Sequence, residues 1–462
     1  MTAINNVTNN PLGTENLGKL LSKFAIPSII AMLISSLYNI VDQIFIGQGI
    51  GYLGNAATNV AFPLTTICLS IALLIGVGSA ARFSICLGAK HYKEAVRYIG
   101  NAFWMTLILS IVCFVVVKLF TEPLILLFGG TENIMTLTTD YVSVTAYGIP
   151  FLIFTNVLSN LIRADGSPTY SMICTVLGAV INIILDPIFI FTFNMGISGA
   201  AWATVIAQFI SFVFCFAYLF RFKLVKLDKE FFRPQLKVCL RIASLGASNA
   251  FTQLGFFLVQ IILNNSLVYY GSQSIYGSEI PLSAFGVVMK INLIFVSVFV
   301  GIAQGAQPII GFNYGAEYYN RVRKVYKLEA IATLAISLLS FILFQCFPHY
   351  IISMFGTGDE VYMEFAVKSM RIFLFMVIVN GLQIISSNFF SAIGKPLKGI
   401  ILTLSRSIFF LIPAALILPL FLGVDGILYA GPIADALAFV VSIVLLYLAF
   451  KEMPKNKSVK GI

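Results

Sequence analysis

Apolar runs of about twenty residues or more alternate with short polar breaks along the whole chain. Twelve such segments are read at about 18–48, 54–81, 96–119, 134–162, 168–192, 198–220, 238–270, 282–311, 325–347, 361–391, 397–421 and 426–450. A run of that length predicts a membrane-crossing helix, because about 20 residues at a rise of about 1.5 Å span the hydrocarbon core. The breaks "GQGIGYLGN", "FGGTEN", "RADGSP", "NMGISG", "AIGKP" and "LGVDG" concentrate the Gly, Pro, Asn and Asp that end helices. Segments longer than the core is thick are expected to tilt, kink or protrude.

Composition sharpens this to a polytopic, all-α membrane protein. Of 462 residues 59% are hydrophobic and 10% charged, with a mean hydropathy of +0.95, where soluble domains carry about 25% charged residues. The N-terminal "MTAINNVTNNPLGTENLGK" lacks the basic-then-apolar order of a cleaved signal, so the first segment is expected to stay. The seven cysteines show no paired or CxxC spacing, and both histidines lie in polar breaks. That pattern argues for packing cysteines and against a metal site or a catalytic dyad. No ATP-binding motif is present, since "GTGDE" at 356–360 lies in a break. The chain is not expected to be an enzyme.

The net charge of +10 would suit nucleic acid, but its distribution gives another reading. Arg82, Lys90, Lys93 and Arg97 follow segment 2, and a basic run from Arg221 to Arg241 joins segments 6 and 7. Arg321, Arg323, Lys324 and Lys327 follow segment 8, and Lys451 to Lys460 form the tail. Glu122, Glu132, Glu279, Asp359 and Glu360 occupy the opposite breaks. The positive-inside rule then puts both termini in the cytoplasm, and no nucleic-acid partner is expected.

Shifting the sequence by 227 or 228 lays "LGNAATNVAF" over "IPLSAFGVVM", "GAKHY" over "GAEYY", "RADGSP" over "SAIGKP" and "GISGAAWA" over "GVDGILYA". A shared offset through a whole half marks an internal repeat. Six segments is an even number, so the copies run parallel: an N-terminal bundle over 1–225 and a C-terminal bundle over 226–462. Two such bundles are expected to form a V-shaped, two-lobed transporter with a central cleft. The major facilitator fold shares this count, but its loop signature is replaced after segment 2 by "RFSICLGAKHYKEAVR", which ranks it second.

Three acids are read well inside apolar segments: Asp42, Asp186 and Asp435. An Asp at the centre of a membrane helix costs about 2.5–3.5 kcal/mol on insertion scales. Asp42 and Asp186 both lie one to two turns before the outer ends of segments 1 and 5. Each has a polar residue one turn below, Tyr38 and Asn182 respectively. Pro187 lacks the N–H that would pair with the Ile183 carbonyl, and Thr204 and Gln208 on segment 6 share one face. The repeat places Ala414 opposite Asp186 and no acid opposite Asp42, so the fold alone does not require these acids. A structural hydrogen-bonding role is the alternative at each.

The two six-helix repeats, with "VDQIFIG" in segment 1, "NIILDP" in segment 5 and "PIIGFNYGA" closing segment 8, give a chain that resembles the multidrug and toxic compound extrusion family, in its DinF/MepA-like branch. The resemblance covers essentially the whole chain. It implies an antiporter that expels bulky, mainly cationic organic compounds in exchange for H⁺ or Na⁺, with no other cofactor. It implies a plasma (inner) membrane location in a bacterium and a monomer whose partners are drugs or toxins and the bilayer. Asp42, Asn182, Asp186 and Thr204 match the cation-coupling site, where Asp42, Asn182 and Asp186 are the residues for a Na⁺. Tyr38 and Asp186 match substrate contacts, as do Tyr141 and Asn156 on segment 4. The NorM-like branch carries an acid in segment 7, where this chain offers only Gln253, Gln260, Asn264 and Asn265.

Gln208, Gln304 and Gln307 are expected to line the substrate path; for Gln304 and Gln307, as for Asn380 and Gln383, interhelical bonding is the alternative reading. Lys290, Arg371 and Asp435 lie about 9–11 residues into segments 8, 10 and 12 and are expected to form a buried ion cluster that locks the C-terminal bundle. The other reading puts a basic residue in the cleft, which would favour zwitterionic or anionic substrates, including lipid-linked precursors moved by a flippase.

Overall fold

The computed structural model describes residues 10–354 and 360–454, which leaves Asp359 and the tail lysines beyond 454 outside the described residues. Long helices dominate, and no strand occurs among the described residues. They are α1 (Leu17–Gly49), α2 (Leu53–Gly88), α3 (Tyr92–Leu119), α4 (Glu132–Ala164), α5 (Pro168–Thr192), α6 (Gly196–Arg221), α7 (Leu236–Ser272), α8 (Glu279–Gly315), α9 (Tyr319–Cys346), α11 (Pro396–Leu422) and α12 (Val424–Glu452). The remaining span, α10, is two helices, Glu360–Phe373 and Val377–Ala392, bent by 52°. With that pair counted once, the twelve spans predicted from the apolar runs are present.

The repeat is visible in the backbone. Lys90 and Glu317, 227 positions apart, take φ of 63° and 61°, and Gly196 and Gly423 take 58° and 59°. Gly166 and Gly394, at φ 85° and 76°, turn the chain just before Pro168 and Pro396. Each of those prolines opens a helix, where a missing N–H costs nothing. The 3₁₀ turn Ala146–Gly148 inside α4 falls at the same repeat position as the break in α10.

The two lobes meet at one end only. A single hydrophobic core runs through Leu20, Phe24, Ile75, Phe83 and Ile162 of the first repeat and Ile242, Ala306, Ile309, Phe389 and Phe390 of the second. A separate core, with Phe285, Phe344, Phe365 and Leu428, lies wholly in the second repeat. Contacts across the joined end come in symmetric pairs. Gly88 packs on the backbone of Phe312 while Gly315 packs on that of Ile85, and Gly78 packs on Ile242 of α7 while Gly305 packs on Phe24 and Ala25 of α1. A pseudo-twofold between parallel repeats requires this reciprocity.

The joined end carries the basic breaks. Arg321 donates to the Asn313 side chain and to the Glu15 carbonyl, tying α9 to the entry of α1. The segment between the lobes is strapped to α3, where Asn101 bonds the Arg233 carbonyl at 3.1 Å and the Gln235 N–H at 2.7 Å. Asp165, in the α4–α5 turn, accepts from the Tyr218 hydroxyl and from the N–H groups of Lys223 and Leu224. Burial pushes its carboxyl up to about 6 against the pull of those donors.

Candidate functional site

Toward the open end the lobes separate. The last direct bond between α1 and α8 is Ser36 to Ser297, at 2.5 Å. Past it Leu37, Asn39 and Ile44 on α1 and Lys290 and Leu293 on α8 are exposed, so the helices part and a cleft begins. Asp42 is six residues beyond Ser36, roughly 9 Å above the floor of that cleft at the helical rise.

A polar pocket sits there, inside the N-terminal lobe. Asp42 is 8% and Asp186 0% exposed, and their carboxyl groups adjoin within hydrogen-bonding reach. The Asn182 amide donates to Asp186 Oδ1 at 3.2 Å and to Thr204 Oγ1 at 3.3 Å. Tyr38 and Tyr141 flank the same two acids. Pro187 ends the regular part of α5, and the chain continues as a wide π turn, Ile188–Thr192, a feature frequent at functional sites.

The electrostatics of this pocket are unbalanced. Asp42 Oδ1, Asp186 Oδ2 and Asn182 Oδ1 are buried acceptors with no hydrogen-bond partner, and neither acid has an ion pair among the described residues. Buried polar atoms are nearly always satisfied, so three orphaned oxygens in one pocket leave it with unused acceptor capacity. Oxygen donors of this kind suit H⁺ or the hard ion Na⁺. No group of three or more His, Cys, Asp or Glu able to hold a metal ion occurs among the described residues.

Of the residues read from sequence, the structure brings together Tyr38, Asp42, Tyr141, Asn182, Asp186 and Thr204. Gln208 lies one turn on from Thr204, with its side-chain oxygen against Gly148. Asn156 spends its amide on the Leu152 carbonyl. Gln304 and Gln307 are buried in the joined end, where Gln307 donates to the Val77 carbonyl of α2 at 3.0 Å. In this conformation Gln307 bonds one lobe to the other and has no face on the cleft. Gln383 donates to the Leu402 carbonyl, between α10 and α11.

The expected Lys290–Arg371–Asp435 cluster does not form. Asp435 pairs instead with Arg406 of α11, Nε to Oδ1 at 2.6 Å, and accepts from Asn380 at 3.2 and 3.3 Å. Lys290 and Arg371 are both exposed. Lys290 stands seven residues, or two turns, before Ser297 and therefore on the same face of α8, which points it into the cleft. Sequence reasoning also missed Glu329 of α9, 1% exposed and with Oε2 unpartnered. Its signal was a polar stripe at i, i+4 and i+8, continued by Thr333 and Ser337, whose buried hydroxyls are unpartnered too.

Two lobes of six parallel-repeated spans, joined at one end around a cleft, define a membrane transporter. A family model described as MatE matches residues 27–188 and 248–417, and the chain belongs to this MATE family. Among similar proteins are the multidrug export protein MepA of Staphylococcus aureus (strain MSSA476), 24% identical over 431 residues and 93% of each chain, and MepA of Staphylococcus saprophyticus, 23% identical over 440 residues and 94% of each. A multidrug resistance MATE transporter of the MOP superfamily, solved in an outward-facing conformation, matches 99% of each chain with a TM-score of 0.89 at 22% identity.

Proposed function

We propose that this protein is a secondary active antiporter that exports bulky organic compounds in exchange for H⁺ or Na⁺ bound at Asp42 and Asp186. The observation that carries the reading is the adjoining, counter-ion-free carboxyl pair with its orphaned oxygens, set just above the floor of the cleft. A cation bound there neutralises the pair. Two buried carboxylates otherwise repel each other and lack solvation, so occupancy changes which packing of the N-terminal lobe is favoured. A substrate that prefers one packing is thereby coupled to the ion, and the coupling is reciprocal. The similarity to proteins named as multidrug exporters supports drug export over flipping of a lipid-linked precursor.

Substrates are mainly cationic compounds, drawn to the acidic lobe. Lys290 on the opposite wall extends the range to molecules that also carry an anionic group. The basic joined end faces the cytoplasm of a bacterial plasma membrane, so the cleft opens outward and the chain acts as a monomer with both termini inside.

The test is ethidium efflux from proteoliposomes under separate pH and Na⁺ gradients. Asp186→Asn keeps the shape of the side chain but cannot titrate, and gradient-driven efflux is expected to fall to background in a protein that still folds and inserts. Wild-type rates from the folded variant would overturn the coupling role.

A further inference from the structure

A groove of about 540 Å³ runs down the flank of the C-terminal lobe, between α9, α10 and α12. Its lining is apolar and aromatic, with Phe375, Met376, Tyr429 and Ile433, and its polar groups are Gln345 and Arg371. Gln345 donates to the Arg371 carbonyl at 2.8 Å, which places Arg371 level with the open-side end of α9. On the neighbouring turns of α9 and α12, Leu338, Ile342 and Leu437 are exposed apolar side chains, which suits a flank that faces hydrocarbon rather than the cleft. The Arg371 side chain has no hydrogen bond or ion pair among the described residues, and no acid lines the groove.

The first repeat shows what a closed version of this place looks like. Phe114, Lys118 and Trp202 lie 227 positions before Phe341, Gln345 and Tyr429, and Tyr147 lies 228 before Phe375. There the cation is used up: Lys118 donates to the Ser143 carbonyl and sits 4.7 Å over the Tyr147 ring, which stacks on Trp202. In the second repeat Phe341 packs on Phe375 at 5.6 Å as Phe114 packs on Tyr147, but the guanidinium is left over.

We propose that this groove binds an anionic phospholipid from the leaflet on the open side of the cleft, with its phosphate on Arg371 and an acyl chain along Phe375 and Ile433. An unpaired guanidinium at the edge of the hydrocarbon core is costly and draws a phosphate from the headgroup layer. Its planar fork matches phosphate oxygens in pairs. Aromatic rings at the interface suit the glycerol region, and the volume is that of a single-ligand site, about 300–1,000 Å³. No acid lines the groove, and the acids on the adjoining turns of α12, Asp425 and Asp435, are each paired with a basic residue, so a net negative headgroup meets no unpaired carboxylate.

The test is native mass spectrometry of the delipidated full chain titrated with dioleoylphosphatidylglycerol, dioleoylphosphatidylcholine or inorganic phosphate. The expected result is one phosphatidylglycerol held at least fivefold more tightly than phosphatidylcholine and not displaced by millimolar phosphate. Arg371→Gln should remove the preference, Arg371→Lys should keep part of it, and Lys118→Gln should leave it intact. Equal retention of the two lipids, an Arg371→Gln variant that behaves as wild type, or a loss shared by Lys118→Gln would overturn the proposal. Displacement by inorganic phosphate alone would reduce the site to a free-anion site and overturn the lipid assignment.

Discussion

Asp435→Asn is expected to loosen the C-terminal bundle, and the structure sets the size of the effect. Asp435 joins three helices, holding Arg406 of α11 and Asn380 of α10 from α12. Breaking a buried pair by removing one partner costs about 3–5 kcal/mol, because a charge is left without compensation. Here the Arg406 side chain is 23% exposed against 6% for Asp435, so the abandoned guanidinium regains some solvation. Asn380 also keeps an acceptor in the new amide. The expected loss is therefore about 2–3 kcal/mol, below the full penalty. Replacing both ends, Arg406→Met with Asp435→Leu, should cost under about 1 kcal/mol, since packed apolar groups substitute well for a buried pair. Thermal unfolding in detergent of Arg406→Met, Asp435→Leu and the double variant, run as a double-mutant cycle, should show a coupling of about 1.5 kcal/mol or more. Additive effects, or an equal loss from Arg371→Met with Asp435 untouched, would refute the assignment of Arg406 as the partner.

Two further outcomes follow from the cleft and the joined end. Lys290→Met should favour efflux of a dicationic dye over a zwitterionic one by about threefold, with unchanged melting because an exposed side chain is removed; an unchanged preference would take Lys290 out of substrate recognition. Gly305→Val puts side-chain atoms into the backbone of Phe24 and Ala25, so it should part the lobes at the basic end and narrow the cleft mouth. Spin-label distances between the open ends of α1 and α7 should shorten, and an unchanged distribution would show that this contact does not hold the state.

How much of this was legible in the sequence depends on whether local helix geometry is regular. The spans were legible because an apolar run must reach across the bilayer with its backbone satisfied internally, so length alone identifies it. The repeat was legible because its punctuation is backbone-determined: Gly166 and Gly394 share a left-handed turn, and Pro168 and Pro396 each open a helix. Asn182 and Asp186 were legible as a pair because α5 is regular between them and i, i+4 neighbours must meet. Their meeting with Asp42 needed only that α1 and α5 end at the same depth.

The choice of partner for Asp435 was not legible, for a physical reason. Arg406 lies in a π-helical stretch, Ser405–Leu411, and each wide turn shifts the face that later residues present. Arg406, however, is only the second residue of that stretch and lies about as deep in segment 11 as Lys290 and Arg371 do in theirs, so depth offered three basic partners and could not choose among them. Glu329 escaped because four basic residues just before it made the start of α9 read as a polar margin. The corrected map leaves the lobes unequal. In the C-terminal lobe Asp435 is neutralised by a fixed arginine and an amide, and Glu329, the other buried acid there, stands alone among hydroxyl side chains with no second carboxylate beside it among the described residues. In the N-terminal lobe two acids adjoin with no fixed cation and with orphaned oxygens. A fixed counter-ion makes a lock, and its absence makes a site whose charge must be balanced by something that arrives and leaves. That difference, more than the number of buried acids, assigns the proposed ion exchange to the N-terminal lobe.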